Sequence, residues 1–522
     1  MAGRPSLRLV AAAGLAVVVT ACVFLVLAPP GSFPVGWDVW WNLHIARIFA
    51  EHGFPDTVVQ GGFTQFARDY ADRQWLFHVV LSTFGGARIG PEHVPWFVLS
   101  FGIALVAVLL VAARALGSSR IPVPAVLLVW GLSSSALFRA TALRDMLLAI
   151  LPLIGLTYFL SRASEGRAPG EREPRFSNEA LGVFASGLVF TWSHGAPALL
   201  VALFVVVTIG RRLDGLDAAL GRIVPLLVGI VAGTVLRPNP WGTIELLFTL
   251  NVEMPWKAMR GELPIQPAEF SAMPFGTLVR TTWALFATSA LSVAAAFVQR
   301  RSWRLVLPAA LLTVGTIFGA RLVELAVPFT VLAVLVQLGD TRWSGRLPFD
   351  LIALVISCGL CALAVRGARP SVEANRFVVL EDVATTLRES ARPGDVVFVT
   401  DWAVTSPLAF WTRDVSLRFT GVTDPVLMLH EAPEQFAAWW GIKSARDPNP
   451  VGTMRDVFGA RFAVVGFADR APGRPVGEAS TRIWQGFGDF VRTGVTVRTK
   501  DFPMPAAHRG IEPGFRVYAI GD

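Results

Sequence analysis

Eleven stretches of this chain are apolar enough, and long enough or nearly so, to cross a hydrocarbon core, and that repetition constrains the fold more than any motif. They fall at residues 7–28, 93–113, 121–138, 142–160, 180–193, 195–210, 223–236, 277–298, 304–320, 322–338 and 349–366. A bilayer core offers no water to backbone groups, so each stretch must close its own hydrogen bonds as a helix. Composition agrees. Hydrophobic residues are 53% of 522 and charged residues 16%, against about 25% charged in a soluble domain. The expected fold is a polytopic α-helical membrane protein with about eleven transmembrane helices.

The arginines give that fold a direction. The balance is 46 Lys+Arg against 38 Asp+Glu, net +8; a membrane protein gathers such an excess in its cytoplasmic loops, so nucleic acid is not implied. With the N-terminus cytoplasmic, the inside loops hold Arg4 and Arg8, Arg114 and Arg120, and Arg162, Arg167, Arg172 and Arg175. Further on they hold Arg211, Arg212 and Arg222, then Arg300, Arg301 and Arg304, then Arg342 and Arg346. The first run, after Arg4 and Arg8, reads as an uncleaved signal anchor, because "LAPPGSFP" offers no small-x-small cleavage site. Eleven spans put the chain from about Gly367 on the outer side of a cell membrane. Cys22, Cys358 and Cys361 lie in apolar runs, which indicates neither a disulfide framework nor a zinc site.

Two outer regions are long, residues 29–92 and 237–276. The first opens with "GWDVWWNLHIARIFAEHGFP", where Asp38 stands among Trp37, Trp40 and Trp41. Leu43, Ile45, Ile48 and Phe49 set against Asn42, Arg47, Glu51 and His52 predict an interfacial helix on the membrane, ended by Gly53 and Pro55. Other polar residues map to the same side. Arg144 and Asp145 begin the fourth span, with Arg139 just before; His194 and Gly195 break "FTWSHGAPALLV"; Arg237 leads the turn "RPNPWG"; Arg321 heads "RLVELAVPFTVLAV". Each has a purely structural reading. Asp38 suits the N-cap of a helix, Arg144 pairs with Asp145, Glu324 at i+3 pairs with Arg321, and His194 packs beside Trp192. Taken together, acids and arginines at a lipid–water boundary suit chemistry on a phosphate-linked lipid.

From Asn375 the pattern becomes a soluble alternation. "FVVLEDVATTLRES" predicts an amphipathic helix, and "VVFVT" a buried strand running into Asp401. "FGARFAVVGF", "VTVRT" and "FRVYAI" predict further strands. The expected organisation is a transmembrane domain at 1–366, carrying the first outer loop at 29–92, and an extracytoplasmic α/β domain at 367–522. Asp401 either caps the next helix or contacts substrate.

The order of these motifs resembles the GT-C superfamily of membrane glycosyltransferases, which use polyprenyl-phosphate-linked sugars as donors. Within it the pattern resembles the catalytic subunit of oligosaccharyltransferases. Asp38 matches that family's acid in the first outer loop, Asp145 in "LRDMLLAI" its second acid, and Arg321 in "RLVELAVPFTVLA" its arginine-led span. "TWSHGAPALLVALF" matches its aromatic-Gly opening of a middle span. The turn "NPWG", the stretch "ADRQWLFHVVLSTFGG" and the tail "GDVVFVTDW" look like bacterial GT-C relatives of unassigned substrate. There are departures. "AAWWGIKS" lacks the acidic Trp-Trp-Asp motif that holds a glycosylation sequon, Trp439 and Trp440 alone do not supply it, and Val39 replaces the second acid of protein mannosyltransferases.

The resemblance implies a GT-C-like membrane glycosyltransferase of the cell envelope. It would move a sugar, with inversion, from a polyprenyl-phosphate donor to an outer-face acceptor that is a glycan, lipid or protein. Asp38 would be the general base, and Arg321, with Arg144 and Arg237, would bind the donor phosphate. Asp145 would orient Arg144 or, with Asp38, hold Mg²⁺ or Mn²⁺. His44, His78, His194 and Asp72 are candidates for acceptor contacts or supporting positions, with Asp69 and Asp72 as substitute acids. Two rival readings are a transporter or flippase for a lipid-linked sugar, and a catalytically silent anchor for a C-terminal binding domain. The first calls for polar residues near the bilayer midplane and repeated halves, neither of which the sequence displays.

Overall fold

The computed structural model describes residues 7–32, 35–36, 38–116, 122–162, 177–262, 272–339, 346–374, 380–400, 402–421, 425–444, 446–468, 499–503 and 513–520. Trp37, Asp401 and all but Thr499 of the strand expected at "VTVRT" lie outside the described residues.

In chain order the helices begin with α1 (Leu7–Leu27), α2 (Asp38–His52), α3 (Trp75–Gly85) and α4 (Val94–Ala115). Next are α5 (Leu128–Gly131), α6 (Ser134–Thr141), α7 (Met146–Arg162), α8 (Asn178–Ser193) and α9 (Ala198–Leu213). Then come α10 (Ile223–Val235), α11 (Pro240–Phe248), α12 (Met254–Met259), α13 (Phe275–Gln299), α14 (Trp303–Gly315), α15 (Val323–Gly339) and α16 (Leu347–Ala374). The remainder runs α17 (Glu381–Ser390), β1 (Val396–Val399), α18 (Trp402–Trp411), β2 (Arg418–Phe419) and α19 (Pro425–Glu431). It closes with α20 (Pro433–Lys443), α21 (Pro450–Asp456), β3 (Ala460–Ala468), β4 (Thr499–Pro503) and β5 (Pro513–Ala519).

The chain divides into two compact units. The first comprises Met1–Ser32, Arg73–Phe77 and Glu92–Asn375. By length and composition four described helices are able to cross a membrane, Pro91–Ala115, Phe275–Gln299, Ala320–Gly339 and Leu347–Glu373. Counting two bent pairs raises that to six: Val123–Gly131 with Ser134–Thr141, bent by 84°, and Leu220–Val235 with Pro240–Met259, bent by 115°. This yields fewer spans than eleven because α7 has 17 residues, α8 and α9 have 16 each and α14 has 13. At about 1.5 Å per residue such helices fall short of a hydrocarbon core of about 30 Å. The unit is mostly helical, and apolar side chains on α10, α13 and α16 face outward.

Helices α8 and α10 cross at a seam of glycines. A Cβ at Gly187 would stand 2.8 Å from the Leu226 carbonyl oxygen, and one at Gly233 would stand 2.9 Å from that of Leu188. In lipid, where no hydrophobic effect drives helices together, such small residues let two backbones approach and gain dispersion contacts. The seam fixes the end of α8 beside the end of α10. Elsewhere, α1 is tied in by Trp130, whose Nε1–H donates to Thr20 Oγ1 at 3.0 Å.

The second unit comprises Phe33–Asp72, His78–Pro91 and Arg376–Asp522. Its five-stranded sheet has the order β2-β1-β3-β5-β4. β1 runs parallel to β2 and β3, while β5 is antiparallel to β3 and β4. Strand β1, "VVFV", is buried at every position, as expected of a β-branched strand covered on both faces.

This partition differs from the one expected at 366/367. α16 continues to Ala374, and most of the first outer loop clusters with the C-terminal segment. The reason is α2. An interfacial helix was expected to offer its apolar stripe to lipid. Instead Val39, Trp40, Leu43, Ile45 and Ala46 are buried within this unit. Trp40 packs 5.4 Å from the Phe410 ring and 5.8 Å from that of Trp411. The Arg47 guanidinium lies 4.7 Å over Phe410, and Arg413 Nη2 reaches Glu51 Oε1 at 3.5 Å. Burying a Trp and several aliphatic side chains against α18 outweighs what the same residues gain half-immersed in headgroups.

Candidate active site

In the first unit one charged cluster gathers Asp145, Arg144, Arg321, His194 and Arg237. Asp145 precedes α7, and its carbonyl oxygen accepts the Leu148 and Ala149 N–H groups, both at 3.0 Å, which starts the helix. Its carboxylate is 2% exposed and uses both oxygens: Oδ2 meets His194 Nδ1 at 2.5 Å, and Oδ1 faces Arg321 Nη2 at 3.6 Å. His194 stands where α8 stops, in extended backbone with φ −147° and ψ 143°. Its N–H donates to Phe190 O at 2.8 Å, and its ring meets the Phe190 ring edge-on at 5.5 Å.

Arg321 occupies a single 3₁₀ turn, Ala320–Leu322, leading into α15. The i+3 partner suggested by the sequence, Glu324, pairs elsewhere. Arg139 Nε contacts Glu324 Oε1 directly, and Arg144 Nη1 lies 3.9 Å from the same oxygen. Arg144 therefore faces Glu324, while its chain neighbour Asp145 faces Arg321. Arg237, buried just past α10, donates from Nη2 to the carbonyl oxygens of Thr191 and, at 3.3 Å, Arg73. Arg73 also acts on the Asp145 charge. Among the described residues, five guanidiniums thus lie around two carboxylates. Guanidinium forks match the oxygens of a phosphate group.

The second unit holds the remaining candidates. Asp38 is the first residue of α2 and half-buried, so its carboxylate stands at the positive end of that helix. One turn on, Asn42 Oδ1 lies 3.0 Å from His78 Nε2, and His78 Nδ1 lies 2.7 Å from Asp72 Oδ2. All three side chains are buried. His78 has both ring nitrogens engaged, one by Asp72 and one by Asn42, so the pair braces α2. Burial, reinforced by the neighbouring Asp72, holds the Tyr70 hydroxyl well above its usual pKa. His44 is fully buried. Desolvation pushes its pKa down to about 3, opposed by the nearby Gln60 side chain and aided by Arg413. It is a neutral core residue. Asp69 is exposed.

Sequence reasoning missed Asn42, Arg73 and the Glu324 pairing. Asn42 was findable, being four residues from Asp38 and so one helical turn along the same face. Arg73 and the Glu324 partners were not, because their contacts span long separations in the chain. Of the residues expected to hold Mg²⁺ or Mn²⁺, Asp145 has its two oxygens facing His194 Nδ1 and Arg321 Nη2. Among the described residues no three His, Cys, Asp or Glu side chains converge.

No family model matches the sequence, and no curated protein sequence matches it. Solved structures do. The archaeal oligosaccharyltransferase AglB of Archaeoglobus fulgidus, in complex with an inhibitory peptide and a dolichol-phosphate, aligns at TM-score 0.58 and 11% identity, over 87% of this chain and 69% of that one. ArnT of Cupriavidus metallidurans bound to undecaprenyl phosphate aligns at 0.53 and 13%, over 96% and 97%. The mycobacterial arabinofuranosyltransferase AftD aligns at 0.55 and 15%, over 98% of this chain but 40% of its own length. Another structure of the A. fulgidus enzyme contains Zn and sulfate. Identities this low carry the fold, and that fold is GT-C-like.

Proposed function

We propose that this protein is a membrane glycosyltransferase that moves a sugar from a polyprenyl-phosphate carrier to an acceptor on the outer face of the membrane. The observation that supports this best is the cationic cluster around Asp145 and Glu324 in a helical unit of GT-C-like fold, whose structural neighbours include proteins solved with dolichol-phosphate and undecaprenyl phosphate. In this reading eleven helices cross the bilayer with the N-terminus cytoplasmic, and the C-terminal segment forms an extracytoplasmic α/β domain.

In the reaction the acceptor hydroxyl attacks the anomeric carbon while its proton passes to the Asp38 carboxylate. The bond from that carbon to the carrier phosphate breaks, and the phosphate leaves with the electron pair. A single displacement of this kind inverts the anomeric centre. A positioned base contributes roughly 10²–10⁴ in rate. Negative charge grows on the leaving phosphate, and Arg321, Arg144 and Arg237 are the groups to stabilise it. Asp145 holds Arg321 and His194 in place.

Asp38→Asn tests the proposal in the purified full-length protein. Sugar transfer is expected to vanish while folding and carrier binding persist; full transfer would remove Asp38 from the chemistry. A flippase of the same lipid would instead move carrier across vesicles without forming product.

A further inference from the structure

The helix that the sequence assigned to the membrane surface is buried in the second unit, yet another segment of the first unit has the required form. Residues 240–259 run through α11, a π-helical turn at Thr249–Glu253 and α12. Along them Trp241, Ile244, Phe248, Val252, Trp256 and Met259 are exposed, at 79%, 42%, 58%, 52%, 56% and 74%. Their spacing of three or four residues puts them on one face, which also carries the exposed Glu245 one turn after Trp241. Gly242, Thr243, Leu246, Leu247 and Met254 are buried on the opposite side. Polar Glu253 and Lys257, paired at 2.7 Å, lie along the flank.

We infer that residues 240–259 lie in the membrane interface, with this apolar face set into the boundary between headgroups and acyl chains. Three observations select lipid as the occupant. The stripe continues the outward apolar face of α10, where Val224, Leu227, Val228, Val231 and Val235 are exposed. The chain turns by 115° between α10 and this segment, so an α10 aligned with the bilayer normal is followed by a segment lying near the membrane plane. Asn239, in left-handed backbone at φ 49°, makes that corner and caps the new helix by accepting the Gly242 N–H at 3.0 Å. Third, tryptophans stand near both ends, the residues favoured at headgroup depth. The charges do not select anionic lipid, because Glu245, Glu253 and Glu262 offset Lys257 and Arg260. The driving force is apolar burial.

This anchor reaches the residue that follows His194. Asn251 Nδ2 donates to the Gly195 carbonyl oxygen at 2.6 Å, one residue past His194. The depth of the segment in the lipid thereby sets the height of the His194 loop. This surface is independent of which reaction the cluster performs.

The test uses the full chain in phosphatidylcholine vesicles, with Cys22, Cys358 and Cys361 replaced by Ala and an environment-sensitive fluorophore placed at Phe248→Cys, Val252→Cys or Glu253→Cys. Labels at 248 and 252 are expected to shift to the blue and to be quenched best by a nitroxide near the headgroup. The label at 253 is expected to stay in water, and adding phosphatidylglycerol should change nothing. Strongest quenching by a chain-end nitroxide would mean a re-entrant half-span and overturn the inference. So would quenching of 248 by an aqueous agent, or protection of 248 that disappears when the protein is diluted to one copy per vesicle, which would mark a second copy as the occupant. Without any label, Trp256→Phe should lose part of the fluorescence quenched by lipids brominated near the glycerol; an unchanged quenched fraction would also overturn it.

Discussion

Asp145 is the residue on which the cationic cluster turns, since one buried carboxylate holds both His194 and Arg321. Asp145→Asn keeps the shape but removes the charge that orients them, so transfer should fall by about 10²-fold, measured as product per minute with a lipid-linked donor. Arg321→Lys should fall nearly as far, because an ammonium cannot fork across two phosphate oxygens. Wild-type rates in both variants would remove the pair from the site. His44 gives a prediction on stability. The unfolded chain protonates this imidazole near its ordinary pKa of 6.5, the folded chain only near 3. Between those values the unfolded state holds the extra proton, so the contribution of His44 is complete above about pH 6.5 and is lost as pH falls toward 3. By pH 5 the loss is about 2 kcal/mol. Denaturant unfolding of wild type against His44→Gln between pH 7 and 5 checks this: the variant should show the shallower decline.

At the scale of elements, two packings position the candidate residues. The α8–α10 seam sets the ends that carry His194 and Arg237, and Gly233→Val would force the backbones apart. The expected result is an activity loss with the fold retained in detergent, read as transfer rate alongside the circular-dichroism spectrum; unchanged activity would show that the seam does not govern the cluster. The other packing is α2 on α18. Trp40→Ala removes a fully buried ring packed against Phe410 and Trp411 and should cost about 3–5 kcal/mol. Arg47→Ala, which loses a cation–π contact with Phe410, should cost roughly 1 kcal/mol. Both are measurable by denaturant titration of the full chain. The apolar residues of α2 were legible in the sequence, but not what covers them. A stripe facing lipid and one facing Phe410 are written with the same letters.

For the whole molecule, the membership of the second unit is what matters. Because α2 shares a unit with the C-terminal sheet, ending the chain at Asn375 should strip the cover from Trp40. Limited proteolysis should then cut within residues 38–72 far faster than in the full chain, and transfer should be lost even though every arginine of the first unit remains. Equal protection in the two forms would make the tail an accessory. The apolar runs and the arginine spacing determined that this is a helical membrane protein, because the solubility of each segment in lipid is a local property of composition. The motifs around Asp38, Asp145 and Arg321 made a GT-C-like fold legible for the same reason, each being a short contiguous string. Only the tertiary structure decided that Asp145 pairs with Arg321 and Glu324 with Arg139, that α2 is core, and that 240–259 carries the bare apolar face. Ion pairing and burial depend on which distant segments meet, and the free energy of that choice belongs to the packed whole.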